Sequence, residues 1–157
     1  MNKSTLILGI GNILMGDEGV GVHVAKMLEK VNFPDHVTVL DGGTGGFHLL
    51  EYFDLHDRII MIDATLDGLP PGTVRQIKPR FALDFPPAMS THDIGLKDLV
   101  SALQLLGRMP EIDLLVVSIE SIQQQGIYLT EEVQNATAGV IAKIKEMVEN
   151  EMVVAET

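Results

Sequence analysis

Three residues far apart in the chain, Glu18, Asp63 and His92, carry side chains that could act together on one ion. Two carboxylates and one imidazole make a three-ligand set for a borderline divalent metal and leave positions open for water or substrate. Their spacing fits no single helix or hairpin, so the fold has to bring them together. Each also has a plain structural reading. Glu18 suits a helix start, where the dipole favours an acid. Asp63 suits a strand end, capping a turn. His92 suits a loop that leads into a helix. Residue type and spacing leave both sets of readings open.

Gly9-Ile-Gly11 after an apolar run, with Asp41 further on, sketches a second chemistry, a dinucleotide site. The details count against it. The third glycine of that pattern would fall at Leu14. Asp17 and Glu18 then stand where a pyrophosphate needs bare backbone N–H groups, and a carboxylate there repels phosphate. The chain has no Gly-x-Ser-x-Gly, His-Glu-x-x-His or Walker A pattern, so serine-hydrolase, zincin and P-loop readings lack support. It has no cysteine, which excludes a thiol nucleophile, thiolate metal ligands and disulfides. His23, His36, His48 and His56 fall in helical or polar connecting segments and are read as surface or packing residues.

Composition narrows the partners. The chain has 157 residues, 46% of them apolar, with 11 Lys and Arg against 22 Asp and Glu, a net charge of −11. That length and apolar content suit one folded domain over residues 1–157. The acidic balance argues against nucleic acid and against an anionic membrane surface. The longest uncharged run, Ser4 to Gly16, is interrupted by Gly9 and Gly11. It is shorter than the ~20 apolar residues of a spanning helix. It reads as a buried strand rather than a leader, and the expectation is a cytoplasmic monomer.

The positioning elements follow from periodicity. Thr5–Ile10, Val37–Asp41, Arg58–Asp63 and Asp113–Glu120 read as strands, mostly buried on both faces as in a parallel sheet. Thr73–Ile77 alternates and follows a Pro70-Pro71-Gly72 turn, so it reads as a less buried strand. Val20 to Val31, Gly46 to Leu55, Ile94 to Leu106 and the segment opened by Thr130-Glu131-Glu132 read as helices, the first with Asp17 as its N-cap. Five of the seven prolines lie between Pro70 and Pro87, so 78–91 is expected to be irregular. Alternating strands and helices give an α/β sandwich of three layers with a mainly parallel sheet. Ligands bind such sheets at the carboxyl ends of the strands. The ends carrying Gly11, Asp41 and Asp63 are therefore expected side by side on one edge. The site residues themselves are expected to be exposed there.

Several segments together resemble one family. Gly9-Ile-Gly11-Asn12 through Gly16-Asp17-Glu18-Gly19, Asp41-Gly42-Gly43-Thr44, Ile62-Asp63-Ala64, Pro71-Gly72 and Ser90-Thr91-His92-Asp93 occur in the order found in the hydrogenase maturation endopeptidases. The resemblance covers nearly the whole chain. It implies an α/β/α sandwich of the phosphorylase/hydrolase-like kind, whose five-stranded sheet has one antiparallel strand, here Thr73–Ile77. It implies a protease, aspartic-type or metal-assisted, that trims a C-terminal extension from the precursor of a [NiFe]-hydrogenase large subunit after nickel insertion. It implies that Glu18, Asp63 and His92 are the metal-binding triad. Some relatives have Asp where this chain has Glu18, which keeps the carboxylate. Glu18 and Asp63 are then also the catalytic carboxylates. The nickel is the substrate's own, and zinc or cadmium can take its place. A nickel carrier using the same triad and a nucleotide-binding Rossmann-like domain are the alternatives.

Overall fold

The computed structural model describes residues 4–80, 84, 96–120 and 126–156. Four apolar runs form parallel strands: β1 (Thr5–Gly9), β2 (Val37–Asp41), β3 (Arg58–Thr65) and β5 (Glu111–Ser118). The alternating run forms β4 (Val74–Ile77), antiparallel to β5. The sheet order is β2-β1-β3-β5-β4. The mixed, mainly parallel sheet is the one expected, and β4 is its antiparallel strand.

Side-chain alternation builds the three layers. Leu6, Leu8, Ile59, Met61, Leu114 and Val116 face one side of the sheet. They pack against α2 (Leu50–Leu55) and α3 (Leu96–Leu105) through Phe53, Leu99, Val100 and Leu103. Ile7, Ile60, Ile62, Leu115 and Val117 face the other side. They pack against α1 (Val20–Leu28) and α4 (Glu131–Glu156) through Val20, Val24, Val140 and Ile144. No described helix is long and apolar enough to cross a membrane.

Three local expectations are corrected. β3 continues two residues past Asp63, because Ala64 and Thr65 still pair with Val117 and Ser118. Asp63 is therefore inside the strand. β5 starts at Glu111 and stops at Ser118, where Ser118 N–H turns to the Thr73 carbonyl at 2.8 Å. Asp17 does not cap α1. A four-residue 3₁₀ turn, Gly16–Gly19, leads into that helix, whose N-cap Gly19 makes no side-chain bond.

The far end of the sheet is fixed by one buried carboxylate. Asp113 accepts Arg58 Nε and Nη2 at 3.0 and 2.8 Å and Gln76 Nε2 at 3.3 Å, with Lys78 Nζ at 3.4 Å. Three strands meet on it, β3, β5 and β4 through Gln76. Arg58 approaches with two guanidinium nitrogens, the geometry in which an ion pair best offsets its desolvation.

Near the carboxyl end, α1 lies almost on the sheet backbone. A Cβ on Gly21 would strike the carbonyl oxygens of Ile62 and Ile10, neither of which can move aside. Gly139, on the exposed side of α4, has nothing within 4 Å. Gly21→Ala should therefore destabilise by about 2–3 kcal/mol or more through overpacking. Gly139→Ala should stabilise by about 0.5–1 kcal/mol through helix propensity. Urea unfolding of both variants checks the opposite signs.

Candidate active site

The strand order places a crevice. β1 connects to β2 through α1 on one face, and β2 connects to β3 through α2 on the other. The chain thus changes direction at the β1/β3 pair, and the space outside their carboxyl ends is where ligands enter open α/β sheets. Backbone bonds hold the ends level. Ile10 N–H donates to Ile62 O at 2.9 Å, Gly42 N–H to Gly9 O at 2.8 Å and Gly11 N–H to Gly43 O at 2.7 Å. The ends carrying Gly11, Asp41 and Asp63 are side by side, as expected.

Glu18 is delivered by the 3₁₀ turn after β1. The turn packs against β3, and Gly11 is what lets it come so close. At φ 152°, Gly11 stands where a Cβ would strike the Glu18 carbonyl oxygen. Asp63 is delivered by β3 itself. It shares the parity of Met61, so it faces the side covered by α2 and α3, and its Oδ1 accepts the Ala64 N–H at 2.8 Å. The sequence expectation that these residues are exposed is overturned: Glu18 is 2% exposed and Asp63 0%. A buried carboxylate is costly unless its surroundings compensate it. Both stand at the carboxyl end of the sheet, Glu18 in the turn packed on β3 and Asp63 within β3.

His92 lies outside the described residues, as do Ser90, Thr91 and Asp93. It precedes α3 by four positions in the chain, and α3 covers the face that Asp63 occupies. Among the described residues, no group of three His, Asp or Glu converges to hold a metal ion. Asp41 is exposed at the end of β2 and accepts the Gly43 N–H at 2.9 Å, a turn role rather than a ribose-binding one.

Two features escaped the sequence. Asp17 accepts the Thr130 N–H at 2.7 Å and the Thr130 hydroxyl at 2.8 Å, so it serves the start of α4 rather than α1. Gly126 pairs with Met15 as a parallel bridge, giving its N–H to Leu14 O and accepting from Gly16 N, both at 2.7 Å. The local signal for the first is Thr130 itself, a residue type that starts helices. Nothing in the spacing points to an acid so far upstream. On the other flank, Asp67 fixes the loop after β3. It accepts Arg75 Nη2 at 2.8 Å, Ser118 Oγ at 3.0 Å and the Leu69 N–H at 3.1 Å. Burial pushes its carboxyl up, and those three donors together hold it below its usual value.

With this geometry in place, the comparisons with known proteins fall on one group. The model of the HycI hydrogenase maturation protease family matches residues 22–147. Asp63 and His92 lie within that segment and Glu18 just before it. The chain is 36% identical over 148 residues to the hydrogenase 2 maturation protease of Escherichia coli, covering 90% of each chain. It is 44% identical over 111 residues to the hydrogenase expression/formation protein HupD of Bradyrhizobium diazoefficiens, covering 68% of this chain and 57% of that one. The chain thus spans little more than half the length of several curated relatives it matches. The solved structure of the hydrogenase maturating endopeptidase HybD from Escherichia coli superposes with a TM-score of 0.84 at 33% identity, covering 93% of this chain and 92% of that one. Fold and strand-end carboxylates together define an α/β sandwich with an acidic site at its switch point. The chain belongs to the hydrogenase maturation protease family.

His23 reports on this region. It sits on α1, half-buried, hydrogen-bonded to the Ile127 backbone beside the Gly126 bridge. Burial holds its pKa below 6.5, the charge of Lys26 lowers it further, and the Ile127 bond and Asp17 oppose the shift. A histidine with a lowered folded pKa binds fewer protons folded than unfolded. Its contribution is constant above the ordinary histidine value and turns unfavourable as pH falls from there to the folded value. The wild type should lose stability on acidification through that window, and His23→Gln should remove that part of the slope. Thermal unfolding from pH 7.5 to 5 measures it.

Proposed function

We propose that this chain is an endopeptidase that removes a C-terminal extension from the precursor of a [NiFe]-hydrogenase large subunit after nickel has been inserted. The observation that carries the reading is the burial of Glu18 and Asp63 at the β1/β3 switch point, in a chain of this family. The names of its relatives support it: a hydrogenase 2 maturation protease and a hydrogenase maturating endopeptidase.

Peptide hydrolysis needs a water proton taken up as the oxygen attacks the carbonyl carbon. It also needs a proton given to the amine nitrogen as the C–N bond breaks. Two carboxylates at one strand-end crevice, acting as general base and general acid, supply both transfers. Burial keeps bulk water from competing and strengthens each electrostatic contact. The chain has no cysteine, so no thiol takes part.

Nickel enters as part of the substrate. Glu18, Asp63 and His92 form a hard-to-borderline donor set of oxygens and one imidazole nitrogen, without thiolate. Such an incomplete shell holds a free ion only moderately. It gains most from an ion that the precursor already anchors with its own ligands. Loaded precursor is then chosen over empty precursor by a difference of affinities.

The test is cleavage of nickel-loaded against nickel-free precursor by the same protein, read by mass spectrometry, in a chelator too weak to strip the client. Shortening of the loaded form alone is expected. Glu18→Gln, Asp63→Asn and His92→Ala should each slow it by about 100-fold or more, the scale of a lost acid–base group. Equal cleavage of both forms removes the nickel dependence. No cleavage of either, with tight nickel binding by the isolated chain, replaces the protease with a carrier.

A further inference from the structure

We infer that Asp17 is a positioning residue for Glu18, holding it through Thr130 at the start of α4. The inference rests on the reading of Glu18 as a catalytic carboxylate. Asp17 is 1% exposed and directs both oxygens to one residue, Oδ1 to the Thr130 N–H at 2.7 Å and Oδ2 to its hydroxyl at 2.8 Å. Thr130 in turn starts α4 properly, since its carbonyl accepts the Gln134 N–H at 2.8 Å. α4 is anchored in the core by Val133, Val140 and Ile144, all fully buried. The carboxylate therefore ties the turn to a rigid body of the molecule.

The turn needs such a tie. It is four residues long, and the N–H of Glu18 reaches the Met15 carbonyl at only 3.3 Å, near the limit of a hydrogen bond. On one side it rests on Gly11 and β3. On the other, Gly126 bonds Leu14 and Gly16, and Asp17 completes that side one residue before Glu18. The N-terminal end of α4, with its positive dipole end, suits an acid at that place. A capping acid at this position in sequence would ordinarily serve the helix that follows it, yet α1 takes no side-chain cap.

The experiment measures kcat and KM for shortening of nickel-loaded precursor by the full chain and by Asp17→Ala, Thr130→Ala, Thr130→Ser and the double variant Asp17→Ala/Thr130→Ala. Ala at position 17 removes both acceptors, Ala at position 130 removes the hydroxyl, and Ser there keeps it. Asp17→Ala and Thr130→Ala should each lower kcat by about tenfold or more at nearly constant KM, the signature of a misplaced group. Thr130→Ser should stay within about threefold of wild type, and the double variant should be little worse than the worse single one. Arg58→Lys, at the far end of the sheet, gives a stability control that should keep its kcat. If the Asp17 and Thr130 variants lose no more kcat than the control does, or if Thr130→Ser fails to rescue, the tie is only structural and the inference falls. A wild-type chain inactive on loaded precursor overturns the protease reading, and the inference with it.

Discussion

The close approach of α1 and its leading turn to the carboxyl ends of β1 and β3 is the constraint on which the rest depends. It exists because Gly11 and Gly21 present no side chain to the carbonyls they meet. With larger residues there, the helix would stand off the sheet. Glu18 would then hang in solvent beyond the strand end instead of being buried beside β3. The approach sets how deeply Glu18 is buried.

Burial then acts on each acid differently. Asp17, Glu18, Asp63 and Asp113 are all almost wholly buried, yet they do different work. Asp113 on β5 is met by a guanidinium from β3 and an amide from β4 and is a structural fastener. Asp17 meets a hydroxyl and a backbone N–H at a helix start and is a tie. Glu18 and Asp63 sit at the switch point, where ligands reach sheets of this kind. Environment rather than residue type sorts the four, and a shared low exposure does not imply a shared role.

The sheet was legible because a buried parallel strand announces itself as an unbroken apolar run, and β4 because exposure on one side makes it alternate. Glu18 and Asp63 were legible as candidates because they follow or end such runs. Their burial was not, since it depends on a turn folding back over β3. Asp63 inside β3 rather than at its end was missed for a related reason. Ladder pairing with Val116 to Ser118 carries the strand past the acid, and pairing is not written locally. Asp17 shows the limit most plainly. Its local signal, an acid just before a helical run, favours capping α1, whereas its partner comes from the last helix. Contacts between residues that distant are set by topology, and composition and periodicity do not carry them.

The two ends of the sheet divide the labour. At the amino end, Arg58 and Asp113 neutralise one another and lock the register of β3 against β5, and Gln76 brings in β4. At the carboxyl end acids gather, and Arg75 on that flank is engaged by Asp67. An end rich in buried carboxylates is unfavourable by itself, so packing elsewhere has to offset it. Here that means the two apolar layers and the buried ion pair.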